Sequence, residues 1–182
     1  TLGQNNKTEY SSPKQVGTDI TWRSIGGQYY GGVMIGTKTD GTLWAWGNNS
    51  EGMLGLNQPT PTKLSSPTQI PGTNWSKVTP YGGWQGTSVM KTDGTLWIWG
   101  NNDNGQVGQN STNNGYSSPT QVPGTTWKEC GMGDNGAVVA LKTDGTAWSW
   151  GLNQQGNLGQ NQADGAKYSS PTQIGSGTAW HS

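Results

Sequence analysis

One phrase recurs three times along the chain and constrains its fold more than any other feature. It reads KTDGTLWAWGNN at 38–49, KTDGTLWIWGNN at 91–102 and KTDGTAWSWGLN at 142–153. The triplet SSP also recurs, with spacings of 54, 52 and 52 residues, and begins at Ser11, Ser65, Ser117 and Ser169. Self-similarity at a period of this size is typical of solenoids and propellers.

Each repeat divides into four short strands. The first follows a lone Trp, the second runs into KTDG, the third leaves it through a pair of Trp residues, and the fourth is SPTQI or SPTQV. The Asp-Gly pairs that begin at Asp40, Asp93 and Asp144 favour tight hairpins, because Asp-Gly tolerates positive φ. We therefore predict an all-β fold, a β-propeller with four-stranded blades of about 52 residues.

The lone Trp residues divide the chain into repeats. We predict that residues 1–21 hold the last strand of a preceding blade, that 22–74, 75–126 and 127–179 are blades, and that 180–182 begin the next. About three and a half blades are then present. Because a closed ring needs as many hairpins as fourth strands, we expect a piece of a longer propeller. The alternative is a chain that completes its ring by assembling with copies of itself.

Tryptophan replaces aliphatic residues as the expected core material. The chain has 11 Trp and no Phe, and each Trp buries a large area. Two Trp residues that are two positions apart lie on the same face of a strand. We predict blade-to-blade packing for the repeated Trp residues and turn formation for the repeated glycines: Trp22, Trp44, Trp46, Trp75, Trp97, Trp99, Trp127, Trp148, Trp150, Gly41, Gly94 and Gly145.

The segment DGTLWAWGNNSEGMLG at 40–55 resembles the regulator-of-chromosome-condensation (RCC1-type) repeat, which carries a DGxxxxWGxNxxGQLG-like signature. NNDNGQVG at 101–108 and LNQQGNLG at 152–159 are similar to its second half. The resemblance implies a propeller, usually of seven blades. The wording TDGTLWxWG and SSPTQI looks like repeats of bacterial and bacteriophage proteins. Nucleotide exchange on a small GTPase and chromatin binding depend on residues of particular members that have no match in this chain.

Composition and motifs argue against several functions. Ten basic and ten acidic residues give a net charge of zero, which predicts no nucleic-acid partner, and the lack of a long apolar run predicts no membrane insertion. A Ser-His-Asp set is not available, because His181 is the only His. Cys130 is expected to be a buried residue on a first strand. We predict no enzyme activity, no cofactor and no metal site.

One face of the propeller is expected to carry the function. In an antiparallel meander the one–two and three–four loops share a face, and these loops vary between repeats, whereas the hairpins and the blade-to-blade links on the other face hardly vary. Aromatic and amide side chains suit a sugar or a protein interface; the alternative is that the rings only cap inner strands or stand isolated. The candidates are Gln28, Tyr29, Tyr30, Tyr81, Trp84, Gln85, Asp134 and Asn135.

The leading functional hypothesis is a non-catalytic binding module that is extracellular, at a cell surface or on a virion. It resembles part of a phage tail fibre or a bacterial adhesin that presents variable loops to a glycan or protein, with neighbouring blades or subunits completing the ring. The second hypothesis is a structural spacer without a ligand. The third is a glycan-active enzyme, for which Glu51, Asp134 and Asp164 are the loop carboxylates; their expected places on different blades disfavour it.

Overall fold

The computed structural model describes residues 2–27, 32–60, 62–79, 86–133 and 135–180 of the chain. In these residues, twelve β-strands form three four-stranded antiparallel sheets, which we call blades A, B and C. The strands of each blade pair in chain order. A helix that could cross a membrane does not occur in the described part of the chain. The prediction of an all-β chain with four-stranded blades is confirmed.

The strands follow the repeat closely. Blade A contains β1 (Trp22–Gly27), β2 (Val33–Lys38), β3 (Leu43–Asn48) and β4 (Lys63–Ile70). Blade B contains β5 (Trp75–Val78), β6 (Gly86–Lys91), β7 (Leu96–Gly100) and β8 (Tyr116–Gln121). Blade C contains β9 (Trp127–Met132), β10 (Val138–Lys142), β11 (Ala147–Leu152) and β12 (Lys167–Gln173). The outer strand of each blade carries a proline, which suits an edge strand because proline cannot donate a ladder hydrogen bond: Pro67, Pro119 and Pro171.

The segment before β1 differs from the prediction. Residues 2–21 contain no strand, so the expected last strand of a preceding blade is not formed. In each blade the fourth strand pairs with the third, and this segment has no such partner among the described strands. Instead it runs irregularly over blade A, where Gly3 lies against the Trp46 indole and the backbone N–H of Asn5 donates to the Ser65 carbonyl over 2.9 Å. The blade boundaries remain a prediction.

The two faces of each sheet carry different side chains because strand residues alternate in direction. In blade B, Trp97 and Trp99 lie on one face, and Val89 stands opposite Trp97 in the neighbouring strand. Leu96 and Ile98 point to the other face, and both are fully buried. We call these the indole face and the aliphatic face. The alternation of tryptophan and smaller residues in TLWxWG therefore determines which face of a blade packs on the preceding blade and which packs on the following one.

The aliphatic face of one blade packs on the indole face of the next. Between A and B, Ile35 and Leu43 join Trp75 and Trp99 in one core, and a second core of the same kind joins B and C. Trp99 is completely buried, and its indole N–H donates to the Met53 carbonyl over 2.8 Å. The corresponding indole in blade C, that of Trp150, donates to the Gln106 carbonyl over 2.9 Å. Trp99 and Trp150 thus bury a large apolar surface without leaving their indole N–H groups unpaired.

Backbone hydrogen bonds join the blades at both ends of the strands. At the A–B junction the N–H of Asn57 donates to the Ser117 carbonyl over 2.9 Å, and the N–H of Trp75 donates to the Gly41 carbonyl over 3.0 Å. The same two bonds recur at the B–C junction, from Asn110 to Ser169 and from Trp127 to Gly94. Because equivalent residues of each repeat occupy equivalent positions along the strands, blades B and C each pack on the preceding blade through the same backbone hydrogen bonds.

The KTDG hairpin combines a turn with a half-buried lysine that lies over two indole rings. In blade B, Asp93 Oδ1 accepts from the Thr95 backbone N–H and hydroxyl over 3.0 and 2.7 Å, and the Thr95 oxygen accepts from Trp97 Nε1 over 2.8 Å. Lys91 Nζ lies 4.5 Å from the centre of the Trp75 ring and 4.3 Å from that of Trp97, which is cation–π distance. The hydrogen bonds from Thr95 hold the pKa of Asp93 below its ordinary value.

The other two hairpins repeat this arrangement. Blade A uses Lys38, Asp40, Thr42, Trp44 and Trp22, and blade C uses Lys142, Asp144, Thr146, Trp148 and Trp127. In both, hydrogen bonds from the threonine lower the pKa of the aspartate. Blade A adds an ion pair of 2.5 Å between Lys38 and Asp19. The near-identity of the phrase therefore reflects a recurring hydrogen-bonded turn.

We expect Gly151→Ala to destabilise the chain far more than Gly156→Ala. Both glycines have positive φ, 95° and 77°, so alanine costs about 1 kcal/mol at either position. At Gly151 the added Cβ would also lie only 1.9 Å from the Gly136 carbonyl oxygen, whereas nothing lies within 4 Å at Gly156. Thermal or urea unfolding should show a loss above about 3 kcal/mol for the first variant. Equal losses of stability in the two variants would contradict the close approach of Gly151 on β11 to Gly136 in the loop between β9 and β10.

Acid should destabilise the fold through the hairpin aspartates. Their pKa values are lowered in the folded state, so their contribution is present above the unfolded pKa of about 4 and is lost as pH falls below it. The triple variant Asp40→Asn, Asp93→Asn, Asp144→Asn should lose less stability between about pH 5 and pH 2 than the wild type. Asp19 and Glu129, whose pKa values are also lowered, should retain some dependence.

Denaturant unfolding at several pH values measures this slope. Glu9→Gln is the control, because it removes an exposed carboxyl outside the hairpins. If the triple variant keeps the wild-type slope, the aspartates do not carry the acid sensitivity.

Candidate functional site

The meander places two sets of connections on opposite faces of the three blades. The long three–four connections, residues 49–62, 101–115 and 153–166, share one side with the one–two loops, and we call this side the loop face. The hairpins and the blade-to-blade links share the other side, which we call the hairpin face. On the hairpin face the same threonine and aspartate bond to each other in every blade, and the same lysine lies over two indole rings. The loop face differs from blade to blade and is the candidate functional site.

Most residues proposed for the binding site lie outside the described residues. These are Gln28, Tyr29, Tyr30, Tyr81, Trp84, Gln85 and Asp134. Asn135 is described: it is exposed, and its carbonyl accepts from Asn104 Nδ2 over 3.1 Å. This contact joins the one–two loop of blade C to the three–four loop of blade B. The clustering of the aromatic candidates remains a prediction.

A buried asparagine organises each three–four loop, which the sequence reasoning missed. In blade B, Asn102 is completely buried; its Oδ1 accepts from the Val107 N–H, and its Nδ2 donates to the carbonyls of Ser111 and Asn113, each over 3.0 Å. Asn49 and Asn153 make corresponding contacts in blades A and C. The signal was visible, because each phrase ends in Asn at this position. The loops are therefore held in shape by their own amides.

Around this common frame, equivalent loop positions carry different side chains. Glu51 in blade A is replaced by Asn104 in blade B and by Gln155 in blade C. The tips are exposed, including Gln58, Thr112 and Gln162. Amides and hydroxyls offer both donors and acceptors. A fixed loop frame with differing exposed side chains can present distinct contacts to a partner.

The loop carboxylates do not converge on a catalytic centre in the described residues. Asp164 Oδ1 accepts from the Gln155 N–H over 2.7 Å within its own loop, and Glu51 belongs to a loop two blades away. The NNDNG stretch forms a local turn in which Asn101 Nδ2 donates to Asp103 over 3.0 Å. The described residues contain no group of three or more metal-binding side chains.

The lone cysteine is a poor nucleophile. Cys130 lies on β9 and is only partly exposed. Burial of its thiol raises the pKa to about 12, against a weaker opposite effect of a hydrogen bond with Ser88. The thiolate is therefore scarce at neutral pH. His181 lies outside the described residues.

Comparison with known proteins gives a consistent family. The model of the regulator of chromosome condensation (RCC1) repeat matches residues 40–80, 93–139 and 144–179. The chain is 29% identical over 126 residues to Protein RCC2 homolog of Danio rerio, covering 68% of the chain and 25% of the relative. It is also 29% identical over 163 residues to Protein pim1 of Schizosaccharomyces pombe, covering 78% of the chain and 29% of that relative. The chain thus spans less than a third of these relatives.

A solved structure supports the fold. The crystal structure of Prp20p from Saccharomyces cerevisiae, described together with its binding to Gsp1p and histones, superposes with a TM-score of 0.80 and 18% identity. The match covers 95% of this chain and 44% of Prp20p. At this identity the likeness concerns the fold, which agrees with a propeller segment.

These comparisons contradict the predicted function, partner and location. The relatives are eukaryotic proteins and give no support to a bacterial or bacteriophage variant. The family is named for chromosome condensation, and Prp20p binds Gsp1p and histones. The predictions of a tail fibre or adhesin, of a glycan partner on a surface, and of an extracellular, cell-surface or virion location were therefore wrong. Neutral charge and a Trp-rich, amide-rich composition follow from the repeat and carry no information about the compartment.

The recurring hairpins and junctions on the one hand, and a family model that matches most of the chain on the other, lead to the same conclusion: this protein belongs to the RCC1 repeat family.

Proposed function

We propose that this chain is part of a non-catalytic, protein-binding propeller that acts as a regulator in the manner of its family. The observation that carries the proposal is the contrast between the two faces. On the hairpin face, equivalent side chains are identical and bond within each blade. On the loop face, equivalent positions differ and are exposed at the tips. Rigid scaffolds with varied loops are typical of recognition surfaces.

The partner class follows from the relatives. Prp20p binds Gsp1p and histones, so a protein partner of this kind is the first to test. The chain itself has a net charge of zero, so attraction to a partner would depend on local rather than overall charge. The chain matches only a segment of each relative. The complete relatives therefore have further surfaces that can bind partners which this chain does not bind.

The test uses purified Gsp1p and core histones as probes against the immobilised chain. The loop-face variant is Thr112→Arg with Gln162→Arg, which adds two bulky charged groups to exposed tips of blades B and C. The matched control is Thr125→Arg with Ser176→Arg, which adds the same charge to exposed links on the hairpin face. We expect wild-type binding to at least one probe and a loss of about tenfold for the loop-face variant only.

Two results would contradict the proposal. One is that neither probe binds the wild-type chain. The other is that the hairpin-face control loses binding while the loop-face variant keeps it, because the contact would then be on the opposite side. Circular dichroism of all variants checks that folding is unchanged.

A further inference from the structure

The B–C junction contains an exposed lysine that bridges the two blades. Lys167, at the start of β12, reaches the three–four loop of blade B, where its Nζ donates to the Asp103 carbonyl over 3.0 Å. Beside it, Gly105 packs so closely on the backbone of Ser169 that an added Cβ would lie 2.7 Å from its Cα. The lysine thus covers the loop carbonyl at the rim of a tight junction.

The A–B junction has the same construction without the lysine. Gly52 packs on Ser117, where an added Cβ would lie 2.8 Å from the Cα. The residue equivalent to Lys167 is Gly115, since both stand two positions before the SSP triplet. A Cβ at Gly115 would lie 2.7 Å from the Gly100 carbonyl oxygen, so the local backbone excludes a side chain here. The bridging side chain that Lys167 provides at one junction is therefore missing at the other.

An open groove occupies this place at the A–B junction. It has a volume of about 340 Å³, and its lining includes Ser50, Glu51, Gln58, Thr60 and Gly115. The volume is at the lower end of the range of small-ligand pockets. It is therefore large enough to take a long side chain from outside the chain.

The lining chemistry fits a cation. Ser50 is the equivalent of Asp103, whose carbonyl accepts from Lys167 at the other junction. The next residue, Asn104 in blade B, is Glu51 in blade A, so a carboxylate is added at the groove. Within the described residues the Glu51 carboxylate has no ion-pair partner. A carboxylate beside a carbonyl acceptor suits an ammonium or guanidinium group, which only donates hydrogen bonds.

We propose that this groove receives a lysine or arginine side chain from a basic segment of a partner protein. The partner's cation takes the place that Lys167 occupies at the B–C junction, near the Ser50 carbonyl and the Glu51 carboxylate. This inference rests on the proposed protein-binding function and specifies the chemistry of one contact. The side chain inserts between blades A and B, at the rim of the loop face.

The test is an NMR titration of the chain with a short peptide of alternating lysine and glycine. We expect saturable shifts of the backbone amides of Gly52, Gly115 and Ser117, and much smaller shifts of Gly105 and Ser169 at the B–C junction. A control peptide with norleucine in place of each lysine should produce none of these shifts. Added salt should weaken the binding, because the groove is open to solvent.

Two variants examine the groove without altering the tight Gly115 backbone. Glu51→Gln removes the charge and should raise the dissociation constant about fivefold. Thr60→Trp places a bulky exposed side chain at the groove and should abolish the shifts. Glu9→Gln is the matched control, since it removes an exposed carboxylate elsewhere, and should bind as the wild type does.

The proposal is overturned if the lysine peptide shifts neither Gly52 nor Gly115, if both junctions respond equally, or if Glu51→Gln and Thr60→Trp bind normally. These outcomes are separable from failure of the proposed function. Loss of the peptide effect with intact, loop-face-dependent binding of Gsp1p or histones would remove only the groove assignment. A specific peptide response without binding of either protein would remove the proposed partners and leave a site for basic side chains.

Discussion

Burial of two indole rings at each blade junction, Trp75 with Trp99 and Trp127 with Trp150, is the contact on which the rest of the structure depends. Trp99 and Trp150 are fully enclosed between sheets, and each donates its N–H to a carbonyl of the preceding loop. Truncation of such a ring costs about 3–5 kcal/mol, a large part of the stability of a small domain. Since Phe is absent and aliphatic residues are few, the rings supply the area that holds the blades together.

The same phrase that provides the ring also closes the hairpin, so folding and assembly are coupled in each repeat. The first Trp of the pair lies over a lysine and bonds to the hairpin threonine, while the second faces the neighbouring blade. This leaves little freedom on the hairpin face, where the hairpin aspartate and threonine of each blade already bond to each other. The loop face is less constrained, because its frame is held by one buried asparagine per loop and the remaining positions can change.

Much of the fold could be predicted from the sequence, because the repeat places Asp-Gly and Trp-x-Trp at fixed intervals and each pattern has one good backbone solution. The segment 2–21 was harder to predict. YSSPKQ has the sequence of a fourth strand, but a strand forms only where a neighbouring strand receives its hydrogen bonds, and residues 2–21 pair with none of the described strands. Its assignment to a preceding blade stays a prediction. The functional setting was wrong for a different reason. Composition reports what the blades need for packing, and nothing in it indicates the cellular location or the partner.

The sequence by itself determined the all-β class, the strand count per repeat, the turn positions and the family, since these depend on local spacing and local turn chemistry. Only the tertiary structure decided at which blade junction a side chain bridges the two blades and at which junction a groove remains. Lys167 and Asp103 are 64 residues apart, and Gly115 is excluded from carrying a side chain by a carbonyl of its neighbouring strand. Such contacts depend on how two sheets approach, and the approach distance is set by the packed indoles rather than by any local pattern.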